Sequence, residues 1–270
     1  MTEKDNGAKH YLGFPKPLLG EESLRLELIA NEKGFIALNK PSGIGVRQHP
    51  WDSSSAHLDG SLNAQLKDAK PELVSTKAKL FGSIYHLDSE ISGVALFGKD
   101  KASIASLRNA FGSSAIEFKF LFIAFSADAL EARIVNDTAL MPHRTQNKMI
   151  PSSAKGKRSN TVFKRLAGPA LGWGLWEAEA QLFRPHQVRL HASLSGLKLM
   201  GDTLYRGEPA PTYASVGKRK KAQDREAEIF KGLALHLEKV YIRLEKEPEV
   251  ALCSNIPKSF VTALNYLNLA

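Results

Sequence analysis

At 270 residues with 43% hydrophobic side chains, the chain is long enough to build one α/β or β-rich unit around a full-sized core. One cysteine, Cys253, excludes an internal disulfide framework and a zinc site made of several thiolates, and no apolar run approaches the length that spans a bilayer. The balance of 37 Lys+Arg against 28 Asp+Glu, a net +9, favours a polyanionic partner, since basic surface binds phosphates by releasing condensed counterions. A merely soluble basic protein is the plainer alternative. The first residues are too polar for a secretory signal, so a cytoplasmic protein is expected, with no metal and no membrane association.

Residues 1–22 carry Gly, Pro and charges without periodicity and read as a tail or an extended arm. Two strand-like runs at 25–30 and 35–38 flank Asn31-Glu32-Lys33-Gly34, whose turn chemistry predicts a hairpin. The second run leads into Asn39-Lys40-Pro41-Ser42-Gly43-Ile44, where Pro41 and Gly43 suit a tight turn. Residues 47–60, rich in Ser, His and Asp, read as loop, and Leu62 and Leu66, four apart, mark a helix beginning near Ser61. Residues 84–97 join a lone acid to an apolar strand. Val94 and Leu96 alternate as half-buried β-structure does, which puts Asp88 in the loop just ahead, with Ser89, Ser92 and Gly93. Scaffolds usually hold reacting groups in such loops.

Asp100 is a credible N-cap for a helix through Phe111, with Ile104, Leu107 and Phe111 as its buried stripe and Gly112 as its stop. The aromatic run 118–125 reads as a strand whose rings are mostly core. Residues 141–158, with His143, Arg144, Lys148, Lys155, Lys157 and Arg158, read as a basic loop able to touch phosphate, or as a solvated surface loop. Residues 160–166 and 173–182 form a second hairpin, in which Trp176, Ala178, Ala180 and Leu182 share one face and Glu177, Glu179 and Gln181 the other. Pro185 suits the first position of a helix on which His186 and Arg189, three apart, share a face. Lys218-Arg219-Lys220-Lys221 opens a charged segment to Lys231, read as solvated loop and helix able to touch phosphate. A closing helix at 257–267, with Phe260, Leu264 and Leu267 at helical spacing, completes the chain. No internal repeat and no second domain is visible.

The loop at 84–97 resembles the signature of the RluA branch of RNA pseudouridine synthases, His-Arg-Leu-Asp, any two residues, then Thr-Ser-Gly and an aliphatic strand. Leu87, Asp88, Ser92 and Gly93 match it; Tyr85, His86 and Ile91 depart from it. Asn39-Lys40-Pro41-Ser42-Gly43 is similar to the family's Asn-Lys-Pro-x-Gly. Arg184-Pro185-His186-Gln187-Val188-Arg189-Leu190-His191 resembles its Arg-Thr-His-Gln-Ile/Val-Arg-x-His, followed as in the family by Gly196 and by Gly201-Asp202-x-x-Tyr205. Leu233-Ala234-Leu235-His236 and the following Val240 to Leu244 resemble the family's Leu-His-containing strand near the domain's end. The resemblance runs from about residue 25 onward, and it implies a catalytic domain at 23–270 with no room for an S4-type module before it.

The resemblance further implies an α+β fold: a mixed, mainly antiparallel sheet with flanking helices and a central cleft. The implied activity is cofactor-free isomerisation of uridine to pseudouridine in ribosomal or transfer RNA by a monomer. In this reading Asp88 is the catalytic carboxylate, Arg189 the cation that offsets its burial, and Phe120 the stacking face for uracil, without the hydroxyl of the family's Tyr. RNA contacts are implied at Lys40, His86, Arg184, His186 and Gln187. A nucleotide stacked in folded RNA must be flipped out to react, and His86 stands where the family's Arg helps in that step. The departures at Tyr85, His86, Ile91, Phe120, Phe183 and Pro185 leave a second reading open, an RNA-binding protein or RNA chaperone with weak or no isomerase activity. Retention of Asp88 together with Arg189 favours the enzyme.

Overall fold

The computed structural model describes residues 10–48, 56–126, 130–217, 221, 224–244 and 247–270. In chain order the strands and helices are β1 (Tyr11–Phe14), β2 (Leu24–Asn31), β3 (Phe35–Lys40), α1 (Leu58–Lys67), α2 (Pro71–Val74), β4 (Gly82–Ser83), β5 (Ser92–Gly98), α3 (Lys101–Gly112) and β6 (Ile116–Phe125). They continue as β7 (Arg133–Asn136), β8 (Leu140–Pro142), β9 (Met149–Pro151), β10 (Thr161–Ala170), β11 (Trp173–Ala180), α4 (Gln187–Leu194), β12 (Lys198–Leu199), β13 (Leu235–Ile242), β14 (Val250–Cys253) and α5 (Lys258–Tyr266).

Among the described residues twelve strands form one sheet, in the order β1-β2-β3-β5-β13-β6-β11-β10-β7, with β4, β12 and β14 appended at its sides. Every pairing of these strands is antiparallel except β5 with β13. The sheet is thus mixed and mainly antiparallel, as the motifs implied. Strand β6 shows how the sheet is buried on both sides. Phe118, Phe120 and Phe122 point into the larger core, whereas Leu121 and Ile123 point into a second one with Phe260, Ala263 and Leu264 of α5. Period-two alternation usually separates core from solvent; here it separates two cores.

Helix α3 begins where the sequence places it. The Asp100 carboxylate accepts from the Ser103 backbone N–H at 2.8 Å, and Ser103 Oγ accepts from the Asp100 N–H at 3.1 Å, a reciprocal capping box. Ile104 and Leu107 are buried beneath it, and Phe111 is half-buried. Strand β11 also keeps its expected faces, with Trp176, Ala178 and Ala180 buried, but it ends at Ala180, so Leu182 lies beyond it.

Other segments differ from expectation. Within the expected tail, Tyr11–Phe14 pairs antiparallel with β2 and buries Leu12 and Phe14, a run too short to show periodicity. Helix α1 starts at Leu58, inside the expected loop, because Asp59 accepts both the backbone N–H and the hydroxyl of Ser83 and so fixes the first turn against β4. The basic segment 141–158 contains the ribbon β8–β9, where Met141 lies opposite Ile150. The described part of 221–231 runs in turns without an α-helix and buries Ile229 and Phe230. Lys218, Arg219 and Lys220 lie outside the described residues.

Candidate active site

Residues 84–91 leave β4 and turn into β5, and the turn is held from both sides. On one side the Tyr85 hydroxyl donates to Val94 O at 2.8 Å, and Ile84 and Leu87 are buried. On the other, the 39–44 turn grips the loop: Gly43 N–H donates to Ser89 O at 2.8 Å and Ser42 Oγ to Glu90 O at 2.8 Å. Gly93 adopts φ +126°, and a Cβ there would lie 2.2 Å from Leu237 O, so only glycine lets β5 approach β13 this closely.

Asp88 sits at the top of this turn, 4% exposed. Three cationic or titratable side chains converge on it: Arg189 Nη1 at 3.6 Å and His186 Nε2 at 3.7 Å from Oδ2, and His86 Nε2 at 3.7 Å from Oδ1. Among the described residues Oδ2 receives no hydrogen bond although it is buried. A buried carboxylate oxygen without a bond is costly, and it leaves a lone pair available to a reacting partner.

Arg189 meets Asp88 as expected, but its main partner is Asp202. Nε donates to Oδ2 at 2.8 Å and Nη2 to Oδ1 at 3.0 Å, a bidentate fork, while Nη1 reaches Glu90 at 3.3 Å. Asp202 Oδ1 also accepts the backbone N–H groups of Leu204 and Tyr205. Burial raises the Asp202 carboxyl, and the hydrogen bonds and charge of Arg189 more than reverse this, leaving it below the ordinary range. The Arg189 guanidinium is lowered by burial and raised beyond its ordinary value by Asp202, Asp88 and Glu90. The fork fixes the guanidinium so that its remaining amino group faces Asp88. The sequence shows Asp202 only as part of a motif; nothing local marks it as the anchor of Arg189.

A narrow niche opens beside Asp88, lined by Ile91, Phe120, Phe183, Arg184, His186 and Arg189 among others. Phe120 is 1% exposed and stands edge-on to Phe183 at 5.4 Å, so Phe183 shares the wall with it. The niche measures about 10 Å³, room for about one water, so anything larger enters only as the wall rearranges. An open cleft of about 830 Å³ lies along the rim of β10 and β11, with Asp137, Arg158, Asn160 and Glu179 in its lining. The niche is the candidate site because it alone of the two contains the buried acid.

Two expected RNA contacts point inward instead. Lys40 is fully buried, and its ammonium donates to the carbonyls of Ile44 at 2.8 Å, Pro41 at 3.1 Å and Ser89 at 3.2 Å. Burial lowers it to about 7, against the raising charges of Asp88 and Glu90. Its hydrogens are committed to its own 39–44 turn and, through Ser89 O, to the loop that carries Asp88, so none is left for a phosphate. Gln187 is likewise buried, donating to Asn160 O and Thr161 Oγ1 and accepting the Arg184 N–H. Arg184 is half-buried, its fork on Arg158 O. His86, with its side chain 28% exposed, stays at the surface of the site, and burial lowers its imidazole below the usual value. Helix α4 begins at Gln187, not at Pro185. His186 is its N-cap, with φ 56°, so the ring reaches Asp88 from a left-handed turn and not from a helix face.

The comparisons with known proteins bear on this geometry. The family model described as RNA pseudouridylate synthase matches residues 34–194, a span that holds the 39–43 turn, Asp88 and Arg189. The chain belongs to this family. Among its curated relatives, the ribosomal large subunit pseudouridine synthase D of Zymomonas mobilis is 28% identical over 195 residues, which cover 71% of this chain and 60% of the relative. The ribosomal large subunit pseudouridine synthase C of Rickettsia prowazekii is 26% identical over 197 residues, 73% of this chain and 61% of the relative. The chain thus spans about three-fifths of these relatives' length. Its fold is that of human RNA pseudouridylate synthase domain containing 4, with TM-score 0.68 and 20% identity over 90% of this chain and 93% of that one. Among the described residues no group of three or more His, Cys, Asp and Glu side chains could hold a metal ion, and no helix is long and apolar enough to cross a membrane.

Proposed function

We propose that the chain isomerises uridine to pseudouridine in RNA, with Asp88 as its catalytic carboxylate and ribosomal large-subunit RNA as the first substrate to test, transfer RNA as the second. The observation that carries this is the buried pair of Asp88 and Arg189, 3.6 Å apart, with Asp88 Oδ2 unbonded. The names of the relatives point to the same RNA. Isomerisation needs no cofactor: the bond from N1 to the sugar breaks with its electron pair left on the base, the base turns, and C5 bonds to the sugar. C5 then loses a proton and N1 gains one, so product and substrate are isomers. Asp88 acts at the sugar or at the base by covalent catalysis. Arg189, held by Asp202, offsets the cost of keeping the acid in a dry site. Phe120 and Phe183 wall the niche that takes the flipped uracil, and His86 and Arg184 meet the RNA around it. Exposed Arg144, Lys155, Lys157 and Arg158 supply phosphate contacts.

Asp88→Asn is the test. Asn keeps the shape and loses the nucleophile, so pseudouridine formed per mole of protein should fall to background, while the melting temperature and RNA affinity hold. Equal activity of wild type and variant on large-subunit ribosomal RNA and on tRNA would refute the assignment.

A further inference from the structure

We propose that His186 is a further catalytic residue, the proton carrier of the site; the proposal rests on the isomerase reading above. In that reaction the new bond from C5 to the sugar leaves C5 with its original hydrogen. That hydrogen departs as a proton, its electron pair restores the C5–C6 double bond, and N1 takes up a proton from solvent. Something in the niche must accept the first proton. Of the side chains lining it, only Asp88 and His186 have a basic lone pair to offer: the guanidinium groups of Arg184 and Arg189 have no acceptor atom, and Phe120, Phe183, Ile91, Val188 and Gln187 have no basic atom. Asp88 is engaged with the substrate. His186 remains.

The geometry of His186 suits that task. Its backbone is left-handed, φ 56°, which is uncommon for a residue with a side chain, and as an N-cap it makes no capping bond with its ring. The ring is turned to the site: Nε2 lies 3.7 Å from Asp88 Oδ2, and Nδ1 lies 2.9 Å from the Tyr205 hydroxyl. Tyr205 O accepts the Met149 N–H at 2.7 Å, and Met149 O lies 3.3 Å away as a second acceptor for the hydroxyl proton. Tyr205 can therefore donate to Nδ1, which leaves a proton on Nε2, or accept Nδ1–H and donate to Met149 O, which leaves Nε2 free to take one. Both tautomers are satisfied without moving a heavy atom. The charged or titratable groups around the ring are Asp88, Glu90 and His86 from the loop before β5, Arg184 and Arg189 beside it in the niche lining, and Tyr205. His86 has no comparable anchor among the described residues.

The test uses the full chain and large-subunit ribosomal RNA transcribed with ordinary or 5-deuterated uridine. Two variants are compared: His186→Gln, of similar reach but unable to carry a proton, and His186→Asn, which tolerates the left-handed backbone. With wild type active, both should lose roughly 10²-fold or more in kcat. RNA affinity and melting temperature should hold, the isotope effect of 5-deuteration should rise, and the limb of the pH–rate profile that reports a single base should vanish. Variants within threefold of wild type, or slowed with isotope effect and pH profile unchanged, overturn the role of His186 and leave the isomerase reading standing. Wild type forming no pseudouridine in either RNA overturns both.

Discussion

At the scale of single residues, the site is built from side chains whose polar atoms are committed elsewhere. Arg189 gives two of its nitrogens to Asp202 and only a 3.6 Å approach to Asp88. Asp202→Asn removes the charge while keeping an acceptor for the Leu204 and Tyr205 N–H groups, so it isolates the ion pair. Breaking a buried pair from one side leaves an uncompensated charge, and we expect about 3–5 kcal/mol lost in urea unfolding. Arg189 should then turn to Asp88, fill its open Oδ2 and lower kcat; a loss under about 1 kcal/mol would place the pair among solvent-screened ones. Lys40 makes a prediction in pH. Its folded value of about 7 lies below the 10.5 of an ordinary lysine, so between those values the unfolded chain holds more protons. Stability contributed at Lys40 therefore rises as pH climbs from about 7 towards 10.5, by up to about 1.4 kcal/mol for each pH unit crossed. Lys40→Met should lack that slope. Parallel curves for the two proteins across that pH range would show that Lys40 keeps its ordinary affinity for protons.

At the scale of elements, the loop before β5 depends on how closely that strand lies against β13. Gly93 permits the approach, and its missing Cβ would meet Leu237 O, a backbone atom that cannot step aside. Gly93→Ala should cost at least the roughly 1–3 kcal/mol typical of overpacking, and it should lower isomerisation more than RNA binding because the displaced strand carries Asp88 with it. Thermal melts together with pseudouridine yield check this; an unchanged melting temperature would mean that the strand pair is slack. The ribbon β8–β9 belongs to the same mechanics. Its Met149 holds the Tyr205 hydroxyl, and Tyr205 holds His186, so a short ribbon read from sequence as loop is joined by hydrogen bonds to the candidate proton carrier.

At the scale of the whole molecule, the central strands β5 and β6 are buried on both faces, and the exposed cations Arg144, Lys155, Lys157 and Arg158 cluster in the segment around β8 and β9. RNA affinity should accordingly be set largely by phosphate contacts at residues such as Arg144, Lys155, Lys157 and Arg158. If about six contacts form, the affinity should fall roughly 10³-fold or more between about 50 and 200 mM salt. Filter binding across that range measures the slope, and binding indifferent to salt would give the basic surface another purpose.

What the sequence determined by itself was local or repetitive: the N-cap at Asp100, the core-facing rings of β6, the alternation of β11, the hairpin of β2 and β3, and the placing of Asp88 in a loop before an apolar strand. Each depends on neighbours within a few residues, where period and propensity speak directly. The tertiary structure decided partners. Lys40 and Gln187 look, in a string of letters, like a cation and an amide free to meet RNA, and Arg189 like a partner for Asp88 alone. Lys40 turns inward because the carbonyls of Ile44 and Ser89 close around it, Gln187 because β10 begins beside it, and Arg189 fastens to Asp202 because the loop after β12 folds back on α4. A hydrogen bond or ion pair is worth making only where its partner and its burial are both supplied, and in this protein those come from strands and loops far apart in the chain.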